Sequence, residues 1–207
     1  MSELPSFKPG DLFCLANDDG RDYPIGCIGT NGGSYDFGAY ALGYFEAASR
    51  LLRDIHENPY MLDPLVYPLC FLYRQGIELS IKHLLNNLPV LFREKCIPNK
   101  DHKLTENWIC VRTYMVCLHG EYPDEPRISE STLNWVEVVL KDFVSTDPNS
   151  LVFRYPESKD GKPYLQDKSH VNFTQFGKFM EPLSKWFQET IIAIDQMVYE
   201  SSSPTAV

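Results

Sequence analysis

The sequence predicts a mainly α protein: an antiparallel bundle of about five helices, with an irregular lead-in and a small β-hairpin before the last helix. Three observations carry this. Apolar residues recur at spacings of three and four over five stretches long enough to be helices. Proline, glycine and polar clusters punctuate the gaps between them. Only "SLVFRYPESKDGKPYLQ" changes character, reading as two short strands about a Lys159–Asp160–Gly161–Lys162 turn. The hydrophobic fraction of 43% and charged fraction of 23% belong to an ordinary folded domain.

Residues 1–34 carry glycines at 20, 26, 29, 32 and 33 and no regular period, so they read as a lead-in that wraps the body. The helical domain is expected over 35–200. A first helix is expected from Tyr35 to Asn58, with Asp36 as a capping residue and Pro59 as its stop. A second begins near Asp63–Pro64. Pro68 predicts a loose first turn and a firm helix only from Pro68 to Leu88. Apolar residues cover more than one face of it, which marks a central, buried helix. A third is expected from Lys103 to Leu118, a fourth from Ser131 to Val144, and a last from Phe173 to Tyr199. The hairpin falls near 150–167, and 201–207 is a polar tail.

The formal charge of −9 argues against non-specific nucleic-acid binding, although Arg93, Lys95, Lys100, Lys103 and Arg112 form a local basic cluster. Six cysteines without a CxxC pair, together with a start that lacks a signal-peptide pattern, predict a reduced, cytoplasmic protein. No apolar run is long enough to span a membrane. Cys110, Cys117 and His119 match no zinc spacing, so no metal or other cofactor is expected. The glycine-rich "IGCIGTNGG" fits no phosphate-binding loop.

The second helix raises the main question. "FLYRQGIELSIKHLL" is apolar almost throughout, yet Arg74, Glu78 and Lys82 lie on one line of it. On a wet face they are two weak ion pairs. In a buried helix they need partners from other segments, because unpaired buried charge is costly.

That stretch, followed by "HKLTENW" and then "FRYP" before "KDG", resembles bacterial HEPN-like helical proteins (higher eukaryotes and prokaryotes nucleotide-binding) over roughly residues 37–200. The resemblance implies a helical bundle, often a homodimer, from a defence or toxin–antitoxin system. Such a protein binds RNA or nucleotides, cleaves RNA without metal, or lacks catalysis and docks a protein partner.

The family's catalytic signature is an Arg followed by a His four to six residues on. Arg50 and His56 fit with five between, and Arg112 and His119 with six. In such a pair the His takes the 2′-OH proton and the Arg steadies the phosphate. His102 is the stronger single candidate, expected to face Arg74 or Glu78. Arg154, alternating with Phe153 and Tyr155 on a strand, is expected to point away from both. It would pair Glu78 or meet a phosphate. The alternative reading is a non-catalytic interaction protein in which Arg74, Glu78, Lys82 and Arg154 form an internal polar clasp.

Overall fold

A computed structural model of the chain describes residues 35–92, 103–122 and 128–202. The lead-in at 1–34 and its glycines, the basic residues at 93, 95 and 100, His102 and most of the polar tail lie outside the described residues.

The body contains helices α1 (Phe37–Glu57), α2 (Leu62–Leu91), α3 (Leu104–Glu121), α4 (Glu130–Thr146) and α5 (Phe173–Ser202). Each coincides with an expected helix to within a few residues at either end, α2 apart. Asp36 caps α1 by accepting the Ala39 N–H, and Ser129 caps α4 by accepting that of Thr132. The α2 helix lies at the centre, packed against α1, α5 and α3, while α3 also packs against α4. Its burial on most sides between Leu69 and Leu85 explains why apolar residues cover more than one of its faces.

The expected loose start of α2 is not observed: the helix runs without a break through Pro68. Pro68 has no N–H to offer the carbonyl four residues back. Both Pro64 and Pro68 sit on the exposed face, where water can meet that carbonyl.

The core joins aromatic rings from three helices. Phe45 of α1 stacks on Phe187 of α5, their centres 6.3 Å apart, and Trp108 of α3 meets Phe187 edge-on at 6.4 Å. Gly76 makes the α1–α2 approach possible, because a Cβ there would lie 2.7 Å from the Phe45 ring.

The expected β-hairpin is not present among the described residues. A single antiparallel bridge, Glu157 with Pro163, closes the Lys159–Lys162 turn. Two features prevent a ladder. Pro156 and Pro163 lack the N–H groups that paired strands need. In addition, buried Asp147 accepts the N–H groups of Leu151 (2.8 Å) and Val152 (3.1 Å), which winds 151–155 into a turn. Ser150 helps by taking a left-handed φ of 58°.

Candidate functional site

The α2 charge line is buried. Arg74 donates to Glu78 at 3.0 Å with the two side chains 0% and 2% exposed, and Lys82 donates to the other Glu78 oxygen at 2.8 Å. One carboxylate is thus shared between two cations on a single helix face. Arg74 keeps Nε and Nη2 buried without a hydrogen-bond partner among the described residues, and the Tyr73 hydroxyl is in the same state. Lys82 is 16% exposed, so its ammonium reaches the rim. This is a clasp with almost no solvent contact, not a surface salt bridge.

Arg154 lies elsewhere. Its guanidinium carbon is 5.7 Å from the centre of the Phe71 ring and 5.3 Å from that of Tyr155. It donates a long 3.3 Å hydrogen bond to the Tyr155 hydroxyl. The expected alternation away from Tyr155 fails because 151–155 is a turn, and the expected partner, Glu78, is not the one it meets. Arg154 instead lines an open cleft of about 370 Å³ with Tyr67, Pro68, Phe71, Phe153 and Tyr155. Tyr67 is 48% and Tyr155 50% exposed, whereas Phe153 is buried and forms the floor with Phe71. A guanidinium laid over rings, with more rings exposed beside it, suits a flat ligand that carries negative charge.

The two Arg–His pairs do not form matched sites. Arg50 is exposed and hydrogen-bonded to Glu46 at 2.7 Å. His56, six residues on and also exposed, is turned about 240° around α1. Arg112 is engaged by acidic and amide groups of α4: Asn134 Oδ1 at 2.8 Å, Glu137 at 3.5 Å and Glu130 at 3.8 Å. A hydrogen bond from Lys141 holds the Glu137 carboxyl below its usual range, opposed by desolvation and aided by the Lys141 and Arg112 charges. The His119 side chain and His102 lie outside the described residues. No group of three His, Cys, Asp or Glu among the described residues is placed to hold a metal ion.

One histidine was absent from the sequence candidates. His83, 2% exposed on α2, accepts the Gly38 N–H at Nδ1 (3.1 Å) and lies 2.7 Å from Asp195 at Nε2. With Nδ1 accepting a backbone N–H, the proton sits on Nε2 and donates to Asp195. The ring ties α1, α2 and α5 together. Gly38 is needed there, because a Cβ would lie 2.9 Å from the imidazole. Both ring nitrogens are occupied, so His83 is a tie and not a free base. The only local hint in the sequence was a polar residue within the apolar run "IKHLL".

Burial, followed by the charge of Asp147, pushes the Cys70 thiol up to about 12. Among the described residues no helix is long and apolar enough to cross a membrane. Comparison of the chain with family models, curated proteins and solved structures finds no match.

Proposed function

We propose that this chain is a HEPN-like helical protein of a bacterial or phage conflict system that binds nucleotides or single-stranded RNA. The ligand sits in the cleft between α2 and the 151–156 turn. One observation carries the reading: Arg154 lies over Phe71 and Tyr155 at the mouth of a cleft with two half-exposed tyrosines. A base stacks on Tyr67 or Tyr155, and its phosphate meets the Arg154 guanidinium. The resemblance in "FLYRQGIELSIKHLL", "HKLTENW" and "FRYP" supports the same class. Binding is favoured over cleavage, because Arg50 and Arg112 are already paired to carboxylates.

The test is fluorescence anisotropy with labelled single-stranded RNA of about ten nucleotides, competed with mononucleotides. Base–aromatic stacking contributes about 1–3 kcal/mol, so Tyr155→Ala should weaken binding roughly 10- to 100-fold. Arg154→Lys should not preserve affinity, since an ammonium lacks the planar face. With one cation at the site, log K should fall with log[salt] at a slope near −0.7. Equal binding by wild type and Arg154→Ala, or no binding by wild type, refutes the reading. Incubating tRNA and total RNA without metal tests the cleaving variant. Loss of products in His56→Ala, His102→Ala or His119→Ala would restore it.

A second reading, a non-catalytic protein-docking module, is favoured by the clasp. Arg74 and Lys82 share the Glu78 carboxylate within α2, as the parts of a structural clasp would. That module would leave RNA unbound in the same assay.

A further inference from the structure

The wall that α2 gives to the cleft extends one turn beyond the lining residues. Asp63, Tyr67 and Phe71 follow one another at four-residue spacing, so they lie within about 80° on one side of the helix. The two ends of this row differ in charge. At the Phe71 end the Arg154 guanidinium lies 5.7 Å from the ring centre and has no carboxylate partner among the described residues. At the other end stands the Asp63 carboxylate, exposed in the first turn of α2 and without a hydrogen bond or ion pair among the described residues. Between them Tyr67 offers a half-exposed ring. Helical side chains lean toward the helix N-terminus, which carries the Tyr67 ring back over the turn that bears Asp63. None of the residues lining the cleft is acidic, so Asp63 is the first carboxylate met along α2 from Tyr67.

The row has the length and polarity of one nucleotide. Asp63 and Phe71 are eight residues apart, about 12 Å along the axis at a rise of about 1.5 Å per residue. A nucleoside monophosphate bridges such a distance from its phosphate to the far edge of its base. With the phosphate on Arg154 and the base stacked on Tyr67, the Watson–Crick edge faces Asp63. An ionised carboxylate only accepts hydrogen bonds, and it accepts two side by side. Among the bases of RNA, guanine alone presents two adjacent donors on that edge, N1–H and the 2-amino group. Adenine and cytosine set one amino donor beside a ring-nitrogen acceptor, which meets the second carboxylate oxygen lone pair to lone pair. Uracil holds its single N–H between two carbonyls.

We infer that Asp63 is a specificity-determining residue of the cleft, and that the ligand it selects is a guanine nucleotide. This rests on the nucleotide-binding function proposed above and adds the identity of the base. The α2 dipole gives Asp63 a second use, because an acid in the first turn of a helix is favoured. That use is blind to the base, so experiment separates the two.

The test is anisotropy of N-methylanthraniloyl-GMP with the full chain, competed with GMP, IMP, AMP and UMP. GMP should compete about 10-fold better than AMP or UMP, the discrimination of one bidentate pair. IMP, which lacks the 2-amino group, should fall between. Asp63→Asn replaces one acceptor by a donor and so matches N1 and the 6-amino group of adenine. It should move the preference from GMP to AMP, with a circular-dichroism melt close to that of wild type. Equal competition by GMP, AMP and UMP overturns the inference and leaves nucleotide binding standing. An Asp63→Asn variant that keeps the wild-type order, or weakens all four alike, does the same. Failure of the labelled GMP to bind also overturns the inference, and if labelled single-stranded RNA fails as well, the nucleotide-binding function falls with it.

Discussion

Glu78→Ala separates a buried clasp from a surface ion pair. The carboxylate is 2% exposed and bonded to Arg74, which is fully buried. Two Arg74 nitrogens have no partner among the described residues, so losing Glu78 removes the one described acceptor of that guanidinium. Stranding a buried charge in this way costs about 3–5 kcal/mol. For a domain of this size that is a fall of roughly 10 °C in Tm. The Glu46–Arg50 pair on α1 has the same i,i+4 spacing, but its side chains are 62% and 72% exposed. Glu46→Ala should therefore cost only about 0.3–0.5 kcal/mol. Replacing both ends of the buried bond, Arg74→Met with Glu78→Leu, should return stability to within about 1 kcal/mol of wild type. The assay is urea unfolding followed by circular dichroism, with the slope m checked for constancy. A Glu78→Ala cost no greater than that of Glu46→Ala, or a double variant as unstable as the single one, would refute the buried clasp.

Three further outcomes are expected. Gly76→Ala should destabilise by roughly 1–3 kcal/mol despite alanine's better helix propensity, because the buried Phe45 ring is held by Phe187 and has nowhere to go. Urea midpoints measure this, and a stabilised variant would contradict the packing. Asp147→Ala should cost about 1–3 kcal/mol and also weaken RNA binding, since it releases the Leu151 and Val152 N–H groups that set the turn bearing Arg154. Anisotropy unchanged by this substitution would separate the turn from the cleft. Finally, stability should decline above about pH 9. The unfolded Cys70 thiol loses its proton near 9, whereas the folded one keeps it to about 12, so unfolding releases a proton in that window. The loss is about 1 kcal/mol at pH 10. Tyr73, raised by burial and by Glu181, extends the decline to higher pH. Cys70→Ala should remove the first part of it.

The five helices were legible because their signals are local. Asp36, Pro59 and the 3.6-residue apolar spacing each act within a few turns. The burial of Arg74 and Glu78 was half legible, because a helix apolar on more than one side has little wet face to give them; that Arg74 and Lys82 share Glu78 within α2, instead of meeting groups from distant segments, was not. The hairpin was misread because alternation in "SLVFRYP" imitates a strand, while the deciding group, the Asp147 carboxylate, stands just before it and takes two of its N–H donors. The same error displaced Arg154, whose true neighbours, Phe71 and Tyr155, join a helix and a turn some eighty residues apart. His83 was missed because Asp195 is 112 residues away and Gly38 is 45. No periodicity reports pairs so distant.

The His83 tie also has a topological consequence. It gathers Gly38, in the first turn of α1, and Asp195, near the close of α5, around one imidazole. The opening and closing helices of the body therefore meet at one pole. Fluorophores placed at these two points should report unfolding of the body by a large loss of energy transfer.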